Sequence, residues 1–135
     1  AQRYVHPTLG FSFEKPEGYS IGVVGGPEDG QTLIVQSLAG DVRLAFQIVI
    51  TPLSERLVLT PQFIKQELPD TAIIKPQAIE LDSKGKGIMF SSNNDSFGGS
   101  SYEIWFTDES TLYQITSYGS FASRLQEIIG TWRFN

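Results

Sequence analysis

The chain has no cysteine, one histidine and one methionine in 135 residues, and each scarcity removes a class of chemistry. Without thiols there are no disulfides, no thiolate metal centre and no cysteine nucleophile. A Ser-His-Asp hydrolase would have to recruit His6 as its base, and no G-x-S-x-G elbow displays a serine. His6 precedes Pro7 in what reads as a lead-in loop, so it is expected to be exposed and not a metal ligand. Long apolar runs are missing as well. Stretches such as Ile48–Ile50 and Ala72–Ile74 fall far short of the roughly 20 residues of a membrane span, so none is expected. Positive charge is scarce: 10 basic against 15 acidic residues leave a net charge of -5. Counterion-driven nucleic-acid binding is therefore not expected. Gly25-Gly26-Pro27 and Gly98-Gly99 make neither a G-x-G-x-x-G nor a P-loop fingerprint, and no cofactor is implied.

What is present points to a β-rich chain. Phe11 and Phe13 alternate with Ser12 and Glu14, the period of a strand with one buried face, and Lys15-Pro16-Glu17-Gly18 ends it as a turn. Tyr19–Val24 reads as the next strand, and Gly25–Gly30 is a breaker cluster. Thr32–Leu38 and Val42–Ile50 form a hairpin about a tight turn at Ala39-Gly40-Asp41. Ala72–Leu81 and Gly87–Ser91 read as strands split by a Lys84-Gly85-Lys86-Gly87 turn. Tyr102–Thr107 and Thr111–Tyr118 make a hairpin with Asp108-Glu109-Ser110 at its tip, and Thr131–Phe134 closes the chain as a short strand.

Two helices are predicted. Thr60 is an N-cap before Pro61, and Pro69 stops this helix at Leu68. Phe121, Leu125, Ile128 and Ile129 form a helical apolar stripe, with Ser120 as N-cap and Gly130 as a left-handed C-cap.

No constellation of residues reaches the standard of a catalytic signature. Glu103 with Asp108, and Glu80 with Asp82, are carboxylate pairs of the kind a glycosidase needs, but they read more simply as solvated edges. The polar stretch Ser91–Ser100 offers oxygens for a hard cation without the acidic spacing of an EF-hand loop, and reads as a surface loop. The aromatics remain. Trp105, Tyr102, Tyr113 and Phe97 are the candidate ligand- or partner-binding residues, with Trp105 foremost because it lies on the strand face opposite Tyr102, Ile104 and Phe106. Core packing against the C-terminal helix is the simpler role for such side chains.

Gly10-Phe11-Ser12-Phe13 with Pro16 and Gly18-Tyr19, then Leu112-Tyr113-Gln114-Ile115-Thr116, then Leu125 through Phe134, together resemble the PsbP-like superfamily, which also takes in the Mog and DcrB-type proteins. The resemblance spans nearly the whole chain and rests on structural aromatics, Gly and Pro. It implies an α+β fold, a mostly antiparallel β-sheet flanked by helices in an α/β/α sandwich, as a single domain over 1–135. It also implies a non-enzymatic accessory or interaction module with an unidentified protein partner, acting as a monomer or weak dimer. The Ala1-Gln2-Arg3 start reads either as an exported, periplasmic or secreted chain after loss of a signal peptide, or as a trimmed piece; export is the expectation adopted. The alternative expectation is a small-ligand or lipid-binding domain with an aromatic groove near Trp105.

Overall fold

The computed structural model describes residues 2–26 and 28–135, so the Ala1 start and Pro27 of the breaker cluster lie outside the described residues. Strands β1 (Gln2–Val5) and β2 (Phe11–Lys15) open the chain. β3 (Tyr19–Gly26), β4 (Gly30–Ser37) and β5 (Phe46–Pro52) follow as a meander, then α1 (Pro61–Glu67), β6 (Ile74–Leu81) and β7 (Gly85–Ser92). The hairpin of β8 (Ser101–Thr107) and β9 (Thr111–Tyr118) leads into α2 (Ala122–Ile129) and the short β10 (Arg133–Phe134). The main sheet has seven strands in the order β3-β4-β5-β9-β8-β7-β6. Every neighbouring pair in it is antiparallel. A second sheet, β1-β2-β10, joins the two ends of the chain.

Side-chain alternation along the strands divides the main sheet into two faces. The inner face presents Leu33, Val35, Ile48, Ile104, Phe106, Tyr113 and Ile115, covered by Phe11 and Phe13 of β2, by Leu125, Ile128 and Ile129 of α2, and by Trp132. The outer face is covered over β7, β8 and the start of β9, where Leu59 and Ile64 pack on Ile88, Phe90 and Trp105 with Leu112 at the margin.

Local signals place α1 as expected: Thr60 Oγ1 accepts from the Phe63 N–H at 3.0 Å, Pro61 takes the first turn, and Leu68 is the C-cap. Five local expectations are corrected by packing. Val42–Leu44 is a 3-10 turn held by Asp41, whose carboxylate accepts from the Arg43 N–H, so β5 starts at Phe46. Helix α2 is preceded by a 3-10 turn, Gly119–Phe121, and has Phe121 as N-cap instead of Ser120. Its Gly130 has φ -60°, right-handed, because the chain continues through Thr131 N–H to Ile128 C=O and Trp132 N–H to Ile129 C=O bonds. The β6–β7 turn is Asp82-Ser83-Lys84, and Gly85 and Gly87 lie inside β7.

Those two glycines serve close packing, not turning. A Cβ on Gly85 would meet the Phe134 and Phe106 rings at 3.0 and 3.1 Å, and one on Gly87 would run into the Trp105 carbonyl and Phe106 Cα of the paired strand. His6 is the fifth correction. It is only 5% exposed; its Nδ1 accepts from the N–H groups of Thr8 and Leu9 at 3.1 and 3.0 Å. Nε2 therefore carries the proton and donates to Gln31 Oε1 at 2.5 Å. The imidazole is a linchpin of the loop between β1 and β2, with neither nitrogen free.

Gly87→Ala is expected to cost at least about 3 kcal/mol in urea unfolding, because the added carbon has backbone and not a flexible side chain in its way. Gly26→Ala, where nothing lies within 4 Å of the added carbon, should stay within about 1 kcal/mol of the parent. Equal, small effects at both positions would contradict the close approach of β7 to β8.

Candidate functional site

The outer face of β8 carries Ser101, Glu103, Trp105 and Thr107 in alternation with the inner-face residues. Across the strands Glu103 stands beside Thr116 of β9 and Phe90 of β7, and Thr116 in turn beside Gln47 of β5. The next row is Ile88, Trp105, Gln114 and Val49. Beyond β8, toward β9 and β5, the cover from α1 ends, and a recess of about 230 Å³ opens between Gln47, Gln114, Thr116, Trp105, Asn93 and Thr71. Its rim is held by Asn93, whose Oδ1 accepts from the Ala72 N–H at 3.1 Å and whose Nδ2 donates to the Asp70 carbonyl at 3.3 Å. Ser92 Oγ donates to the Ala72 carbonyl at 2.8 Å. The segment after α1 is thereby pinned to the end of β7.

Glu103 forms the floor and is 3% exposed. Its Oε1 accepts from Thr116 Oγ1 at 2.6 Å and from Trp105 Nε1 at 3.0 Å, and its Oε2 accepts from Ser101 Oγ at 2.8 Å. No cationic side chain lines the recess. Burial pushes the Glu103 carboxyl above its ordinary value, and the bonds from Thr116, Trp105 and Ser101 pull in the opposite direction without overcoming it. With three neutral donors on its oxygens, Glu103 orients the Trp105 indole and ties β8 to β9. It has no second acid or base beside it.

The other carboxylates do not supply one. Asp108 accepts from the N–H groups of Ser110 and Thr111 and so caps the β8–β9 turn. Glu80 is exposed on β6, and Asp82 Oδ2 accepts from the Phe134 N–H at 2.8 Å, tying β10 to the β6–β7 turn. The expected solvated edge holds for Glu80 and fails for Glu103, which a neighbouring strand on each side has buried. Ser12 and Lys15 also have S-x-x-K spacing. Ser12 Oγ, however, accepts from Arg3 while Lys15 Nζ donates to the Tyr19 carbonyl, so the two are not partners.

The four aromatic candidates are not brought together. Tyr102 and Tyr113 belong to the inner core, where Tyr102 OH accepts from Gln126 Nε2 of α2 at 2.7 Å and burial pushes the Tyr113 phenol well above its ordinary range. Trp105 is on the outer face, edge-to-face with Phe90 at 5.3 Å, and packs against the segment around α1 instead of the C-terminal helix. Phe97 sits in a 3-10 turn, Asp95–Phe97, against Tyr118 at 5.7 Å. They do not line one aromatic groove. Of the Ser91–Ser100 stretch, Ser91 and Ser92 end β7 and the rest is an ordered turn in which Asn94 Oδ1 accepts from the Ser96 N–H and Gly98 and Gly99 take φ of 76° and 77°. Among the described residues no three His, Asp or Glu side chains cluster as a metal site would require.

A larger recess of about 1000 Å³ lies at the other end of the sheet, between the Arg56–Leu59 segment, the β6–β7 turn and the C-terminus. Arg56, Lys84 and Lys86 on it are matched by Glu80, Asp108 and Glu109, so it presents no field of one sign. Sequence reasoning named Glu103 only as half of a carboxylate pair on a solvated edge, and its burial was not foreseen. The available signal was a lone acid in a strand of otherwise apolar or hydroxyl residues, two positions from both Ser101 and Trp105.

An antiparallel seven-stranded sheet, with α2 and a small sheet on one face and α1 on the other, defines an α+β sandwich. Among solved structures it is similar to cyanobacterial PsbP (CyanoP) from Synechocystis, with a TM-score of 0.61 at 13% identity over 99% of this chain and 92% of that one. The fold is PsbP-like. No family model and no curated protein matches the sequence. Among the described residues no helix is long and apolar enough to cross a membrane.

The raised Glu103 pKa fixes the sign of a pH effect. The folded chain holds this proton more tightly than the unfolded chain, so stability is fullest below the unfolded value of about 4.3 and falls as pH rises through the folded value. Glu103→Gln keeps an acceptor and a donor without the titration. The stability of the parent relative to this variant should therefore decline between about pH 4 and the folded value. Chemical denaturation across that range checks it; a parent that gains on the variant as pH rises has the opposite sign.

Proposed function

We propose that the chain is a non-enzymatic accessory module that binds another protein through the open half of its outer sheet face. The observation that carries this reading is a charge-free surface on an acidic chain. Over β3, β4, β5 and β9 the outer positions are Ser, Thr, Gln, Gly, Tyr, Val, Ile or Leu, with no Asp, Glu, Lys or Arg among them. Thr32, Ile34, Gln47, Val49 and Gln114 form its centre, and Ile34 is 36% exposed. Depletion of charged residues is the compositional mark of an interface core. The polar recess at Glu103 borders this face and gives it one concave feature.

A binding role also accounts for the chemistry of the recess. Its carboxyl is held by hydroxyl and indole donors, an arrangement that fixes geometry instead of moving protons. Export is part of the proposal as well, and the lack of cysteine fits an oxidising compartment and a reducing one alike.

Two cations at the centre of the face should abolish such binding without touching the core. Ile34→Arg with Gln47→Arg is expected to weaken partner retention by about 2 kcal/mol or more, roughly thirtyfold, at unchanged melting temperature. Crosslinking from an envelope extract of the source cells, parent against variant, reads this out. Retention of the same proteins by both, or of none by the parent, refutes the assignment of this face.

A further inference from the structure

The two edges of the main sheet are built differently. β6 carries Lys75, Pro76 and Glu80, its register to β7 shifts between Ile74 and Gln77, and Lys75 at that irregularity has φ 51°. Charge, proline and a bulge are the means by which sheets keep an edge from pairing with another chain. β3 has none of these. Its sequence YSIGVVGG is uncharged, it pairs with β4 over eight positions without a register shift, and it is exposed from Gly22 to Gly26.

The hydrogen-bond phase shows which groups are available. The Leu38 N–H donates to the Gly18 carbonyl at 2.7 Å, so ladder alternation turns Ser20, Gly22 and Val24 toward β4. The N–H and C=O groups of Ile21 and Val23 then point away from the sheet. On one side the outward Tyr19 carbonyl is taken by Lys15 Nζ at 2.8 Å. On the other, Gln31 Nε2 donates to the Gly25 carbonyl at 3.3 Å, and Gly25 leaves the extended region with φ 83°. What stays open is a window of three residues, Ile21-Gly22-Val23, with its own centre at Gly22.

We propose that this window is a homodimer seam, in which β3 of a second copy pairs antiparallel about a two-fold axis through Gly22. Ile21 of each copy exchanges both backbone bonds with Val23 of the other, giving four hydrogen bonds and a continuous sheet across the pair. The window suits a second copy because it is self-complementary. Antiparallel pairing about its centre sets an apolar Ile against an apolar Val twice, and Val23, 53% exposed in one chain, gains cover on the inner face. Neither strand carries a charged side chain within the seam. Gly22 supports it independently: it has no positive φ, and nothing lies within 4 Å of a Cβ placed there. One chain alone has no need of glycine at that point, and on the axis, where the two copies of residue 22 face each other as a non-hydrogen-bonded pair, it leaves no side chains to be accommodated on the outer face.

The seam concerns the sheet edge and not the outer face, so it stands or falls separately from the protein-binding reading above. Few residues contribute, and the area falls below the roughly 1,200 Å² of a stable interface, so a weak dimer is expected, with a Kd of about 10 μM to 1 mM. Sedimentation velocity across that concentration range should show a monomer–dimer equilibrium. Amide exchange at Ile21 and Val23 should slow as the dimer fills. Val23→Lys, at an exposed site, should stay monomeric throughout with an unchanged melting temperature, whereas Ala78→Lys on the β6 edge should dimerise as the parent does. A parent that stays monomeric, a Val23→Lys protein that dimerises equally well, or a dimer without slowed exchange at Ile21 and Val23 overturns the proposal.

Discussion

Trp132 is the contact on which the rest of the structure depends. Its ring stacks on Phe11 at 4.4 Å and on Phe13 at 5.7 Å, and meets the edges of Phe106 at 5.0 Å and Tyr113 at 5.3 Å. Phe11 and Phe13 come from the second strand, Phe106 and Tyr113 from the central hairpin, and Trp132 from the turn after α2. One side chain therefore joins the small sheet, the last helix and the main sheet. An aromatic burying about 200 Å² contributes on the order of 5 kcal/mol, comparable with the net stability of a whole domain. The turn that aims the ring is held in turn: Thr131 Oγ1 donates to the Ile128 carbonyl and accepts from the Glu14 N–H, and the Thr131 carbonyl accepts from Arg3.

The inner face is closed by this cluster, and the outer face is half open because α1 is short. Thr60 starts it, Pro69 ends it, and the cluster under its 7 residues lies on β7 and β8 with Leu112 of β9 at the margin. Glu103 stands where that cover runs out. There the hydroxyls of Thr116 and Ser101 and the indole N–H of Trp105 are shut from water, and each needs an acceptor. One carboxylate satisfies all three. The boundary between the covered and open halves of the sheet is thus marked by a buried acid, and the open half beyond it is free of charge. The PsbP-like fold supplies this scaffold, and the particular surface belongs to this chain, since folds carry many unrelated activities.

The asymmetry of the edges belongs to the same economy of cover. β6 protects its free backbone groups with charge, proline and a bulge. β3 is capped only at its two ends, by Lys15 and Gln31. Both caps come from residues whose positions depend on the N-terminal strands, because Lys15 ends β2 and Gln31 is held by His6 of the β1–β2 loop. The small sheet consequently does two things: it closes the core through Phe11 and Phe13, and it defines how much of the β3 edge is left open.

What the sequence by itself determined is what depends on near neighbours along the chain. Alternation in Phe11-Ser12-Phe13 and in Tyr102–Thr107, the Thr60-Pro61 start and Pro69 stop of α1, the Asp108–Ser110 hairpin tip and the apolar stripe of α2 were all legible, as was the α+β class they add up to, while the sandwich came from the family resemblance. Each reflects backbone torsion or side-chain period, which a few consecutive residues set. Only the tertiary structure decided that Gly85 and Gly87 are contact positions within a strand, that His6 is buried, that Trp105 and Tyr113 lie on opposite faces, and that Glu103 has neutral donors around it. Burial and partners are set by strands brought alongside from distant parts of the chain. A glycine is a turn or a close approach, and an acid is solvated or buried, according to what lies across from it.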